Sequence, residues 1–430
     1  MAAMNRLILS LLICLLTRLA LADDFNEAPI RYLDATPNNR VAKLIQRLER
    51  GDVAGEGETS LESLRNLLRE LAVPESSQML VYSKTSLQRD KISPRTPRAI
   101  YFNDDVYVGY CHDSQVVEIS AVDAELGTVF YTADRSDNQF QIQRQTENCL
   151  LCHASSSTHQ VPGHVVRSVY VDAVGLPVLS MGTHRIDQTS PLRERWGGWY
   201  VTGTHGNQTH LGNLIVRGQR QPEEIDNAAG QNVVTLEKRL DTDLYLSPHS
   251  DLVALMVFEH QAQGHNLIAR ASFDCRMALH QQEQLNEELK QPAGHLWDST
   301  KSRIRSVSEE LVQYLLFCDE AVLTAKLAGT SSFAEEFAAR GPRDAGGRSL
   351  RDFDLERRMF RYPCSYLVYS EAFNALPAPV LDRVWQRLWE VVREEDKSKE
   401  FAHLSADDRR AIGAILLETK QHLPSLESRQ

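Results

Sequence analysis

Apolar and polar positions follow two patterns along the chain, in three successive stretches. In the segments Val41 to Arg50 and Ser60 to Leu71, Leu44, Leu48, Leu61, Leu64, Leu67 and Leu68 recur at helical spacing. Two short amphipathic helices are predicted there, with Ser60, Glu62 and Ser63 supplying helix-start chemistry. From about Gln78 the pattern changes to short β-branched and aromatic runs. These are Met79 to Tyr82, Ala99 to Phe102, Val106 to Tyr110, Val116 to Val122 and Thr128 to Tyr131. Pro94, Pro97, Asn103-Asp104 and Gly127 separate them, which predicts strands joined by turns, with a hairpin at Asn103-Asp104-Asp105. Further strands are expected at Val165 to Val171, Val178 to Met181 and Trp199 to Thr202. After about Ser247 the helical period returns. Helices are predicted over Asp251 to Lys290, Arg303 to Leu327, Leu350 to Met359, Val380 to Arg393 and Ala406 to Thr419. Ser349 with Asp352, Pro379 and Ser405 mark three of the starts.

The expected fold class is therefore α+β: a β-rich central region followed by a mainly α-helical C-terminal region. The expected divisions are a signal peptide at 1–22, a helical lead-in at 23–77, the β-rich region at 78–246 and the helical region at 247–425. The leader is read from Arg6, the apolar run Leu7 to Leu16 and the Ala20-Leu21-Ala22 cleavage pattern. That apolar run is short for a membrane span, so no stable membrane insertion is expected once the leader is removed. The expected address is periplasmic or otherwise exported.

Between the two sets of strands lies Cys149-Leu150-Leu151-Cys152-His153, a C-x-x-C-H sequence on a predicted short helix. This spacing attaches c-type haem. Two thiols one helical turn apart add across the haem vinyl groups, and the adjacent His offers a ring nitrogen to the iron. A redox dithiol or half of a zinc site would use the same Cys pair, but zinc would want a second pair at similar spacing, and the chain has none. Cys149, Cys152 and His153 are thus the expected haem ligands, with one covalent haem c as the cofactor. Of the seven cysteines, Cys14 falls in the leader. Cys111, Cys275, Cys318 and Cys364 are left to form up to two disulfides or to remain as buried thiols.

The opposite face of the iron has three candidates. His260 shares a helical row with Leu252, Met256 and Gly264 and is the favoured one, ahead of Met181 and Met256. His159, His164, His184, His205 and His210 crowd the sequence after the motif. Arg167, Arg185, Arg193 and Arg195 could pair with haem propionates, and Trp196 and Trp199 could line the haem edge. The formal net charge of −11 argues against a nucleic-acid partner.

Cys149 to His153 resemble the haem-binding motif of c-type cytochromes. Taken whole, the chain looks like the large secreted single-haem cytochrome c-domain proteins of unassigned function. Two-haem cytochrome c peroxidases are a weaker comparison, because they carry two such motifs. The resemblance implies haem on Cys149 and Cys152 with His153 as its proximal ligand. The first functional expectation is an exported electron-transfer protein serving a redox partner protein. The alternative is a haem-dependent oxidoreductase or peroxidase with an open or displaceable sixth iron position. A haem-based gas or redox sensor ranks last, since no output module is visible.

Overall fold

A computed structural model describes residues 24–420, apart from 54–58, 137–138, 219–220, 223–224 and 293. The expected leader at 1–22 lies outside the described residues. The chain is a mixed α+β protein, with its sheet in the central region and its long helices after it.

The lead-in contains α1 (Arg40–Glu49) and α2 (Ser60–Glu70). Asn39 caps α1 by accepting a bond from the Ala42 N–H. A capping box caps α2, with Thr59 and Glu62 each serving the other's backbone N–H. The expected Ser60 start is thus displaced by one residue.

Six strands follow as an antiparallel meander in chain order. They are β1 (Met79–Val81), β2 (Arg98–Phe102), β3 (Val106–Tyr110), β4 (Val116–Asp123), β5 (Gly127–Ser136) and β6 (Gln139–Gln145). Asn103 turns the β2–β3 hairpin by accepting from the Asp105 and Val106 N–H groups, as its side chain predicts. β6 was not expected. Its sequence Gln-Phe-Gln-Ile-Gln-Arg-Gln is mostly polar, and its pairing to β5 along the full length supplies what composition does not.

Strand alternation gives the sheet two unlike faces. One presents Leu80, Tyr101, Val108, Ile119, Val129 and Tyr131, and buries them with Val41, Leu44, Leu64, Leu67 and Leu68 of α1 and α2. The other is mixed. Its apolar end, Met79, Ile100, Phe102 and Tyr107, joins the core of the helical region. In register beside that end runs a row formed by Gly109, Glu118, Thr132 and Gln143.

The helical region is organised by α4 (Leu252–Glu288), capped by Asp251, whose carboxylate accepts from Val253 and Ala254 N–H. Its first part is buried on all sides, as expected of a helix inside a large core. Around it lie α5 (Asp298–Leu315), α6 (Phe333–Ala339), α7 (Ala378–Val392) and α8 (Ala406–Thr419). Pro379 sits in the first turn of α7 and Ser405 caps α8, as expected.

Four expectations are corrected. Leu350 to Met359 is not a helix: Asp354 accepts from the Glu356 and Arg357 N–H groups, competing with helical bonding, and Phe353 bridges to Phe360. Val178 to Met181 is not a strand, because Leu179–Met181 forms a 3-10 turn ending at Gly182 with φ +94°. Trp199 to Thr202 makes only isolated bridges, to Val81 and Asp251. α5 also stops before the expected Leu327, since Phe317 turns to a positive φ of 58°.

Candidate functional site

After β6 the chain makes one helical turn, α3 (Leu150–His153), with Cys149 at its N-cap in helical conformation. The His153 N–H bonds the Cys149 carbonyl at 2.9 Å. The motif's two thiols and its imidazole therefore belong to a single turn, as the sequence requires. Leu150 is buried and anchors the turn in the sheet core, while Cys152 is exposed and Cys149 partly buried. All six described cysteines are free thiols. Cys111, Cys275, Cys318 and Cys364 are buried and unpaired, so the disulfide expectation gives way to buried thiols. Burial pushes the Cys149 thiol above its ordinary pKa.

The His153 ring is fixed on two sides. It packs on Phe130 of β5 with centroids 4.9 Å apart, and its Nδ1 lies 2.9 Å from the Gly163 carbonyl oxygen. An imidazole that donates Nδ1–H to a carbonyl leaves its lone pair on Nε2, the arrangement that orients a metal-ligating His. Nε2 makes no hydrogen bond to a described residue. Burial lowers the His153 pKa and the Gly163 bond opposes that shift, so the neutral, ligating form is favoured.

The chain after the motif is clamped to α4. Asn266 receives the His164 N–H on Oδ1 and donates to the His164 carbonyl. His164 in turn meets Ser120 at 2.8 Å and lies under Tyr107. Burial holds its pKa well below the usual histidine range. A cavity of about 260 Å³ opens beside this segment, lined in part by His159, His164, Arg185, Asp187, Glu259 and Gln263.

His260 is placed differently. With Gln188 donating its amide N–H to the Tyr314 carbonyl, the Gln188 Oε1 is left to accept from His260 Nδ1. His260 Nε2 then accepts from the Ser365 hydroxyl at 2.8 Å. The ring is stacked between Tyr314 and Phe317, at 5.3 and 4.8 Å. Both nitrogens are occupied, so this buried His is satisfied by its own core and offers no lone pair to iron. Met256 is packed within the same core, and Met181 is buried in its 3-10 turn.

The other sequence candidates divide. Arg195 is buried against Glu259 and also donates to the Ser190 and Gln188 carbonyls, so it is not available to a propionate. Arg185 stays near the motif and donates to the Ser156 carbonyl at 3.1 Å. Arg167 is exposed opposite it on the β7 (Arg167–Val169) and β8 (Thr183–Arg185) ribbon. Trp196 packs on His210, and Trp199 on Phe258 of α4. His205 Nε2 and His210 Nδ1 accept backbone N–H groups of Asn232 and Gly212, both at 3.0 Å, and so staple their loop. Among the described residues no group of three or more His, Cys, Asp or Glu is placed to hold a bare metal ion.

Compared with known proteins, the chain matches no family model, no curated protein and no solved structure. What the site can do therefore rests on its own geometry.

Two residues that sequence reading passed over, Arg98 and Glu118, adjoin the motif. They form an ion pair, and both charges act on Cys149 and His153. No motif announces them, since each is one polar residue on a different strand. Only the register that places Gly109 opposite Glu118 could have shown it.

Proposed function

We propose that the chain is an exported c-type haem protein working as an oxidoreductase, with one haem held by Cys149, Cys152 and His153. The carrying observation is the state of His153, with Nδ1 2.9 Å from the Gly163 carbonyl and Nε2 bonded to no described residue. The residues fit the group. Two free thiols occupy one helical turn, the Cys152 thiol is open to solvent, and the imidazole is pre-oriented. Haem, when bound, would supply one-electron chemistry at iron. The protein's part would be to hold it through Cys149 and Cys152, orient the His153 imidazole through Gly163 and border the site with the sheet face that carries Phe130 and Glu118.

Chemistry at an open sixth position is favoured over simple electron carriage because His260 has no free nitrogen. Electron transfer to a protein partner remains the second reading. It is favoured by the exposure of Cys152 and of Leu151, whose side chain is 79% exposed beside the motif. A haem held there would lie close to a surface open to another protein.

The test is to mature the protein with haem-attachment machinery and stain it after denaturation. The wild type should retain haem, and the Cys149→Ala/Cys152→Ala variant should not. Equal staining of both would sink covalent attachment.

A further inference from the structure

After the motif the chain returns to His153 through Gly163. The Gly163 N–H bonds the His153 carbonyl at 2.8 Å, and the Gly163 carbonyl meets His153 Nδ1 at 2.9 Å. Gly163 thus serves both the backbone and the ring of His153. The Gly163–His164 peptide is in turn held from its other side. Its N–H, on His164, donates to Asn266 Oδ1 at 2.9 Å, and Asn266 Nδ2 donates to the His164 carbonyl at 2.7 Å. A trans peptide is planar, with N–H and C=O pointing in opposite directions. Fixing the N–H on Asn266 therefore fixes the direction of the carbonyl that meets His153. A single amide orientation makes both bonds, since Oδ1 only accepts and Nδ2 only donates.

The contact is too close for any side chain at position 163. A Cβ there would lie 2.1 Å from Asn266 Oδ1. Glycine is what lets the peptide settle onto the amide. Asn266 is 1% exposed on α4, in the half of the molecule that does not carry the motif. Thr128 of β5 holds the Pro162 carbonyl at 3.0 Å, and Ser120 holds the His164 ring at 2.8 Å. Those bonds tie the segment to the sheet. Among the described residues, His153 and Asn266 are the two partners of the Gly163–His164 peptide itself.

We propose that Asn266 is a positioning residue for His153: it aims the Gly163 carbonyl at Nδ1 and so keeps Nε2 as the bare nitrogen offered to iron. The iron is that of the covalent-haem reading above, on which this inference rests. It adds a route by which the helical half regulates the site. A carbonyl that draws on Nδ1–H makes an imidazole a stronger donor to its metal. Loosening that carbonyl should therefore favour the ferrous state.

The test reads two quantities. One is the His153 tautomer, by NMR of the ring nitrogens in haem-free protein. The other is the reduction potential of haem-loaded protein. Wild type should carry the proton on Nδ1. Asn266→Ala should raise the share of the Nε2–H tautomer by about fivefold, the scale of one hydrogen bond. Gly163→Ala, which forces the amide away from the other side of the contact, should do the same. Both variants should shift the potential upward. Arg270→Ala, one turn along α4 and bonded to His159 instead, should leave the tautomer as it is. Thermal melts show which variants fold, and Gly163→Ala decides if Asn266→Ala does not. Folded variants with the wild-type tautomer and potential would overturn the proposal and leave Asn266 a clamp of the fold alone. A wild type whose proton sits on Nε2 would overturn it as well. A wild type without covalent haem, whose tautomer still answers to Asn266, would instead sink the haem reading and leave the positioning of His153 standing.

Discussion

His153 and His260 invite comparison because both pack against aromatic rings and both have pKa values lowered by burial. They sit in the two halves of the molecule, one on the sheet face and one in the helical core. The difference lies in the second nitrogen. His260 satisfies both, through Gln188 and Ser365. His153 is anchored by one, at Gly163. A partner on each nitrogen offsets the cost of burying an imidazole, and the helical core supplies both to His260. The sheet half keeps one nitrogen uncommitted beside two thiols. Burial on an apolar helical row therefore cannot separate a ligand from a core residue, whereas partners on both nitrogens, as at His260, exclude a ligand role.

The largest expected effect follows from exchanging these roles. His153→Ala should change the iron's coordination and spin state in the haem-loaded protein outright. His260→Ala should leave the iron spectrum as it is. A shifted spectrum in His260→Ala, with His153→Ala silent, would reverse the comparison. Stability should divide the other way. His260→Ala leaves Gln188 Oε1 and the Ser365 hydroxyl without their partner and opens a gap between Tyr314 and Phe317. A loss of about 2–4 kcal/mol is expected in denaturant unfolding. His153→Ala in the haem-free protein should cost less, about 1–2 kcal/mol, since only one bond and one ring contact are lost. Equal losses would show that His153 is as structurally committed as His260.

What the sequence disclosed, and what it concealed, follows the same division. The strands Met79 to Val81 through Val116 to Asp123 were legible because β-branched and aromatic runs alternated with turn residues. The helices starting near Asp251, Pro379 and Ser405 were legible from their caps. β6 was hidden by its glutamines, and the Leu350 to Met359 segment misled because Asp354 diverts its backbone bonds locally. In the site, the Cys149 to His153 motif was legible because five adjacent residues carry it. Arg98 and Glu118 were not, because they meet only through strand register, 20 positions apart in the chain. His260 was misjudged for a related reason: its satisfying partners, Gln188 and Ser365, come from distant segments that no local pattern connects to it.

The smallest effect, and the one that sharpens the comparison most finely, is the dependence of stability on acid. Burial depresses the His260 pKa to about 3 and the His265 pKa to about 4. In the unfolded chain both should titrate near about 6.5. Between these values the unfolded state holds protons that the folded state refuses, so stability rises with pH and is fully present above the unfolded pKa. It is lost as the pH falls from that value toward the folded ones. Each such His contributes a slope of up to about 1.4 kcal/mol per pH unit in that window. His260→Gln removes one of these groups while supplying a polar side chain of similar reach. Urea unfolding of the haem-free protein at a series of pH values from 7 down to 4.5 should therefore give a shallower loss of stability in His260→Gln than in wild type. The two curves should run parallel above pH 7, offset only by the cost of the substitution. If the slopes are equal across the whole window, His260 takes up its proton in the folded protein as readily as in the unfolded one. Its Nε2 is then not held by Ser365, and the contrast with His153 fails at its own premise.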